Sequence, residues 1–331
     1  MKPSLEIIIV NWNAGPSLDV CLRSIRDAHR CTYELGRVVV VDNASTDGSV
    51  DCPDAKNLPF SLERNVENRG FAAACNQGAR NSSANYLLFL NPDVRLDADT
   101  LQTSIQFMEQ MESAQVGICG VQLFDDTGKV SRSCARFPTA GTMFCHMLGF
   151  DRLFPGLFKG HFLSLNDHLK SGPVDQVMGA FFLVRRSLFE ALRGFDERFF
   201  VYFEDLDFAY RARQLGSRSY HFSTSQAYHR GGVCSEQVKA QRLFYSLRSR
   251  ILYANKHFES VAATGVLIGT LLLEPFSRCF LALAHKSRQE MRETLQAYKI
   301  LLISLPSIVR NKSGAAAEKK VTGGKVGSIP V

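Results

Sequence analysis

The chain has 331 residues, of which 45% are hydrophobic and 21% charged. That balance fits a globular protein of one large or two smaller domains and excludes a disordered chain. The formal charge of +7 is lopsided: residues 1–229 hold 23 Lys and Arg against 26 Asp and Glu, and residues 230–331 hold 16 against 6.

Nine cysteines, an odd number without a C-x-x-C pair, argue against a disulfide framework and for a reducing, cytosolic setting. Met1-Lys2-Pro3-Ser4 leads straight into Ile7-Ile8-Ile9-Val10, an apolar run too short for a signal peptide. That run and Val38 to Val41 are β-branched stretches of the kind buried on both faces of a parallel sheet. Between them, Leu18, Cys21, Leu22 and Ile25 fall at helical spacing behind Ser17, a candidate N-cap. A right-handed strand–helix–strand unit is expected.

A further helix is expected to begin near Ser45-Thr46-Asp47-Gly48-Ser49, and another to run from Gly70 to Ala79. A buried strand follows from Tyr86 to Leu90, stopped by Pro92. Residues 1–100 therefore read as a nucleotide-binding α/β half. Leu101 to Met111 reads as a helix, Val116 to Leu123 as a strand, and Asp125-Asp126-Thr127-Gly128 as a hairpin turn. Arg136 to Gly172 lacks periodicity and is expected to be a long loop over the site. Val174 to Val184 reads as a strand interrupted at Gly179-Ala180, where a backbone can approach a ligand. A helix from Asp207 to Leu215, ended by Gly216, precedes a strand from Ser219 to Ser225 and a loop at His229-Arg230-Gly231-Gly232.

Gln237 to His257 reads as a basic amphipathic helix. The apolar stretches Val261 to Leu273, Phe276 to Leu283 and Tyr298 to Leu305 each fall short of the ~18–20 residues of a spanning helix. They read either as buried helical packing or as helices lying in a membrane interface beside basic residues. The expected organisation is an α/β domain over 1–235, a basic helical extension over 236–310 and a disordered tail over 311–331. The basic last third suits an anionic membrane surface or a solvated tail. Nucleic acid is disfavoured, because no aromatic stacking pattern or zinc-finger spacing accompanies the charge.

Four clusters carry candidate chemistry. Asp42 closes the second strand and can accept a hydrogen bond from a base or ribose, whereas Asp47 reads as a helix cap. No G-x-G-x-x-G or G-x-x-x-x-G-K-[ST] is present, which counts against a dehydrogenase or NTPase. Asn91-Pro92-Asp93 places two oxygen-bearing side chains at a strand's carboxyl end. A divalent cation on a diphosphate needs only one or two protein ligands, and Asp93 with His229 would suffice; a plain turn is the structural alternative. Glu204-Asp205-Leu206-Asp207 follows an aromatic run. Apolar surroundings raise a carboxyl pKa toward that of a general base, while Asp207 suits a helix start and Glu204 and Asp205 are expected ahead of the helix. Asn68-Arg69-Gly70-Phe71 with Asn76-Gln77-Gly78 offers small residues and a helix N-terminus to phosphate, with Arg69 adding charge or lying on the surface.

With Ile9-Val10-Asn11-Trp12-Asn13 and Gly194-Phe195-Asp196-Glu197, these clusters resemble the inverting family 2 glycosyltransferases of the GT-A fold over residues 5–257. Within that family the resemblance is to bacterial rhamnosyltransferases that use dTDP-L-rhamnose. It implies a mixed, mostly parallel central sheet flanked by helices, with a C-terminal helical extension. It also implies that Asp42 binds the pyrimidine base and that Asp93 and His229 hold Mg2+ or Mn2+ on the diphosphate. Asp205, with Glu204 as a neighbour, would deprotonate the acceptor hydroxyl. Asn11, Arg69, Asn76 and Gly179 would belong to the donor site. Asn91 departs from the family's Asp-x-Asp and is expected to contact sugar or ribose rather than metal. The implied acceptor is a cell-surface glycan on a lipid carrier, reached at the cytoplasmic face of the inner membrane. A UDP-sugar donor (GlcNAc, galactose or galactofuranose) or an inactive nucleotide-sugar-binding module is the alternative.

Overall fold

The computed structural model describes residues 2–51, 55–154, 156–158, 160–231 and 238–310. The expected tail over 311–331 and Gly232 lie outside them. The strands are β1 (Ser4–Asn11), β2 (Glu34–Asp42), β3 (Phe60–Arg64), β4 (Tyr86–Leu90), β5 (Val94–Leu96) and β6 (Val116–Phe124). They continue as β7 (Cys134–Ala135), β8 (Gly172–Val174), β9 (Gln176–Val177), β10 (Phe181–Arg185) and β11 (Arg218–His229). Among the described residues, nine form one sheet in the order β3-β2-β1-β4-β10-β6-β11-β5, with β8 on β11; β7 and β9 pair separately. β3, β2, β1 and β4 are mutually parallel, and β10 runs antiparallel to β4 and β6. The sheet is therefore mixed and mostly parallel on its N-terminal side.

The uninterrupted apolar runs are explained by two cores, one on each face. Ile7, Ile9, Val38, Val40, Leu88 and Leu90 pack with Leu18, Leu22, Ile25, Leu101 and Ile105. The alternate residues Ile8, Val10, Val39, Val41 and Phe89 pack instead with Ala72, Ala74, Cys75, Phe208 and Ala212. Successive strand side chains point to opposite faces, so a strand covered twice needs apolar residues throughout. Each fully buried Ile or Val contributes roughly 1.5–3 kcal/mol.

Several local expectations change. Ser17 opens the helix Ser17–Arg26, but makes no side-chain cap; Pro16 holds the cap position with helical backbone. No helix forms at Ser45–Ser49, because the Asp47 carboxylate instead accepts from the backbone N–H groups of Gly15 (2.8 Å) and Ser49 (3.0 Å). The region expected as one long loop contains short helices at Ala140–Met147, Phe150–Leu153 and Leu165–His168. The first is started by a reciprocal Thr139–Thr142 capping box.

The chain divides into two compact units, Met1–Pro138 with Gly160–Val238, and Thr139–Lys159 with Lys239–Val331. In the second unit, Ser260–Ala284 is one continuous helix of 25 residues, an 18-residue window of which has mean hydropathy 1.7, long and apolar enough to cross a membrane by length and composition. The expectation of separate segments, each too short, is thereby corrected. Pro275 does not break the helix, because a π-turn at Gly269–Leu273 precedes it and Pro275 falls in the first turn of the α-helical stretch Glu274–Ala284. The Glu274 carboxylate is buried between Arg250 and Arg278, so the one acidic residue of the helix is neutralised inward.

Candidate active site

One edge of the sheet gathers the polar strand ends. Asn11 and Asp42 are register partners at the carboxyl ends of β1 and β2, and Ile9 is opposite Leu90 of β4. Antiparallel β10 starts at that edge, since Phe181 pairs with Leu90. Antiparallel pairing of β5 with the end of β11 sets His229 opposite Val94. Carboxyl ends of parallel strands are the usual ligand crevice in open α/β sheets.

Asn11 and Asp42 are both buried. Asn11 Nδ2 is 3.0 Å from Asp42 Oδ1, 3.0 Å from Ser45 Oγ and 2.9 Å from Ser49 Oγ, three acceptors sharing two protons. Ser45 also donates to Asp42 through Oγ (2.5 Å) and N–H (3.3 Å). Asn11 Oδ1 is buried without a hydrogen-bond partner among the described residues. The loop Asn43–Ser49 is thus fastened from within, and Ala44 adopts φ +61° in it. Sequence reasoning did not single out Ser45 and Ser49; their signal was hydroxyls three and seven residues after the strand end at Asp42.

The Asn91-Pro92-Asp93 turn sits between β4 and β5. Asn91 N–H donates to Ala180 O at 3.0 Å, and Asp93 Oδ2 accepts from Gly231 N–H at 3.1 Å. Asp93 Oδ1 lies 3.3 Å from His229 Nε2. Two ligand atoms cis on an octahedral ion with bonds of about 2.1 Å are about 3 Å apart, so this pair fits the edge of a divalent-cation shell. Among the described residues no group of three or more His, Cys, Asp or Glu could hold a metal; any further ligands would come from diphosphate and water. Asn91 Nδ2 is 3.5 Å from His229 Nε2, beside the pair.

The third strand-end feature is the break at Met178–Ala180. Gly179 N–H donates to Asp205 Oδ2 at 2.9 Å, and Leu206 N–H donates to Asp205 Oδ1 at 2.8 Å. Gly179 is therefore filled against Asp205, whose Oδ2 would lie 3.6 Å from a Cβ at that position. Asp205 is partly exposed. Burial raises its carboxyl pKa, and the bonds from Gly179 and Leu206 oppose the rise.

The helix starts at Glu204, not Asp207, so Glu204 and Asp205 lie in its first turn rather than ahead of it. Tyr202 and Phe203 take left-handed φ values of +67° and +70°, a costly backbone for bulky residues that turns the chain sharply into the helix. Glu204 is buried, with Oε2 lacking a hydrogen-bond partner among the described residues. Burial first, and then the charge of Asp205, hold it protonated well above the usual carboxylate range.

Among the described residues, Arg69 and Asn76 bond elsewhere than to these groups. Arg69 donates to Gln77 Oε1 (2.9 Å). Asn76 binds both the N–H and O of Phe195 at 2.8 Å and Glu197 Oε1 at 3.0 Å, bracing the Gly194–Glu197 loop. Gly70, at φ +86°, has Phe200 O where a Cβ would fall, at 2.5 Å, and Phe71 N–H donates to that oxygen at 2.6 Å. Arg211 was overlooked: it bridges buried Asp207 (2.7 Å) to Leu192 O and Gly194 O. Its signal was the i, i+4 spacing from Asp207.

The profile described as Glycosyl transferase family 2 matches residues 6–193. The chain is 26% identical over 278 residues to N-acetylglucosaminyl-diphospho-decaprenol L-rhamnosyltransferase of Mycobacterium tuberculosis, covering 78% of this chain and 86% of that protein. It is 27% identical over 194 residues to rhamnosyltransferase WbbL of Escherichia coli K12, covering 56% of this chain and 69% of the relative. Mannosyltransferase PcManGT from Pyrobaculum calidifontis, solved with GDP-Man and Mn2+, superposes with a TM-score of 0.51 at 18% identity, over 98% of this chain and 89% of that one. The fold is accordingly GT-A-like: a mixed central sheet flanked by helices, followed by C-terminal helices.

Proposed function

From the premise that the chain belongs to glycosyl transferase family 2, we propose that it is an inverting transferase moving L-rhamnose from dTDP-L-rhamnose to an acceptor hydroxyl. The observation that carries this reading is the Gly179–Ala180 step. One residue fixes Asp205 and the next accepts from Asn91, so base and phosphate turn share one backbone support. The rhamnosyl donor is favoured by the two rhamnosyltransferase relatives.

In this reading Asp42 and Asn11 meet the pyrimidine base, and Asn91 the sugar or ribose. Asp93 and His229 would hold Mg2+ or Mn2+. A bound cation there would offset charge building on the departing diphosphate. Asp205 takes the proton of the acceptor hydroxyl as that oxygen bonds to the anomeric carbon. The bond from carbon to diphosphate oxygen breaks on the opposite face, and configuration inverts. Asn76 and Gly179 act by bracing the walls of the site. The acceptor is a glycan carried on a lipid at the cytoplasmic face of the inner membrane, in keeping with the decaprenol-linked acceptor named for the mycobacterial relative.

The test is a donor panel of dTDP-rhamnose, UDP-GlcNAc, UDP-galactose and UDP-galactofuranose, given with Mn2+ and a polyprenyl-diphosphate-linked glycan. Release of dTDP with an inverted product is expected. Donor binding without release of nucleoside diphosphate from any pair would replace the reading with a binding module.

A further inference from the structure

The helix Ser260–Ala284 has an inward and an outward face of opposite character. Ala263, Val266, Gly269, Thr270, Glu274 and Ala282 are buried. Facing out are Val261 (87% exposed), Ile268, Leu272, Phe276 (76%), Phe280 (70%) and Leu283 (68%), at steps of seven, four, four, four and three residues. Such steps keep residues on one side of a helix, and the stripe runs for about 33 Å at 1.5 Å per residue. The only charged residues of this helix are Glu274 and Arg278, and both are tied into the ion-pair group with Arg250. The outward stripe is thus free of charge along its length.

An exposed apolar surface of this kind marks a partner or a membrane. The charge beside it selects between them. Lys286 and Arg288 follow the end of the stripe within two turns, and Arg292 and Lys299 continue along an exposed line of the helix Arg288–Arg310. Residues 230–331 carry 16 cations against 6 anions, an excess that repels a second copy and attracts anionic headgroups.

We propose that this stripe seats the second unit on an anionic phospholipid surface, with the helix lying in the plane of the interface. Phe276 and Phe280 enter the acyl boundary while Lys286, Arg288 and Arg292 meet headgroups. A position in the plane, rather than through the bilayer, follows from the buried inward face and the charged group fixed midway along it. The inference deepens the lipid-carrier part of the proposed function and rests on it only for why a membrane is useful. Its test needs neither donor nor acceptor, so a wrong sugar or base assignment leaves it standing.

Full-length protein is floated with phosphatidylcholine vesicles, with and without phosphatidylglycerol. The expected result is flotation with the anionic vesicles, weakened by salt, and a partition lowered about tenfold or more in Phe276→Ser/Phe280→Ser. Both positions are exposed, and circular dichroism checks that the variant is folded. Separately, Phe276→Trp should lose emission to brominated lipid. Unchanged flotation of the double variant, or an unquenched Trp, overturns the proposal. So does a protein that stays with the soluble fraction as a dimer which the double variant dissociates, since a second copy would then cover the stripe.

Discussion

The backbone N–H of Gly179 donates to Oδ2 of Asp205 at 2.9 Å, and that bond holds the candidate base in position and favours its charged form. Burial pushes the carboxyl upward from its ordinary value of 3.8, and the donors at Gly179 and Leu206 draw it part of the way back. The base works only when ionised, so kcat/KM should rise with pH along a limb placed above 3.8. Asp205→Asn keeps the shape and loses the proton acceptor. Transfer should fall by about 10²–10⁴-fold with donor affinity retained. A pH profile and a donor titration on the same preparation measure both; near-normal turnover would remove Asp205 from the role.

The 3.3 Å separation of Asp93 Oδ1 and His229 Nε2 makes a separate prediction about metal. Donor affinity measured by calorimetry should be higher with Mn2+ than with EDTA. Asp93→Asn and His229→Gln should each reduce the metal-dependent gain by about tenfold or more, leaving affinity in EDTA nearly unchanged. If both variants respond to Mn2+ as the parent does, the cation is bound elsewhere.

The strands were legible because two-sided burial leaves a coarse signature, and Ile7–Val10, Val38–Val41 and Tyr86–Leu90 each carry it. What could not be read was how particular side chains are used. Asp47 looks like a cap in the sequence, yet its oxygens accept from Gly15 and Ser49 in a turn. Asn76 looks like a ligand residue and is a brace for Phe195. The helix runs through Glu274-Pro275 because a π-turn at Gly269–Leu273 places Pro275 in a first turn, and Arg250, 24 residues away, helps neutralise the buried Glu274. Nothing local announces that partner. The positions of Asp93, His229 and Asp205 at one sheet edge depend on β5–β11 and β10–β4 pairing, which lies beyond sequence spacing.

Glu204 predicts a pH-dependent stability. In the unfolded chain it ionises near 4.5, whereas in the fold burial, and then Asp205, hold it protonated well above that. As pH climbs from 4.5 through the folded value, the unfolded chain releases a proton that the folded chain keeps. Stability therefore falls over that window. Glu204→Gln has a similar shape and no titration, so its decline should be shallower. Urea midpoints at about pH 5 and about pH 8 compare the two; parallel declines would show that Glu204 ionises normally.

Arg211 is predicted to be worth far more to stability than a surface arginine. Its Nε donates to Asp207 Oδ2 at 2.7 Å, and its two terminal nitrogens donate to Leu192 O at 2.9 Å and Gly194 O at 3.0 Å. The Asp207 side chain is fully buried, so Arg211→Ala takes the guanidinium away from a carboxylate held out of water and leaves two carbonyls short of a donor. The expected cost is about 3–5 kcal/mol. Lysine keeps the charge without the planar fork, and should recover only part of it. The double change Asp207→Asn/Arg211→Met removes the buried charge altogether and should be milder than Arg211→Ala alone. Equilibrium unfolding in urea ranks the three. If Arg211→Ala costs no more than a typical exposed ion pair, about 0–1 kcal/mol, the buried pair does not hold the Gly194 loop against the helix Glu204–Gln214.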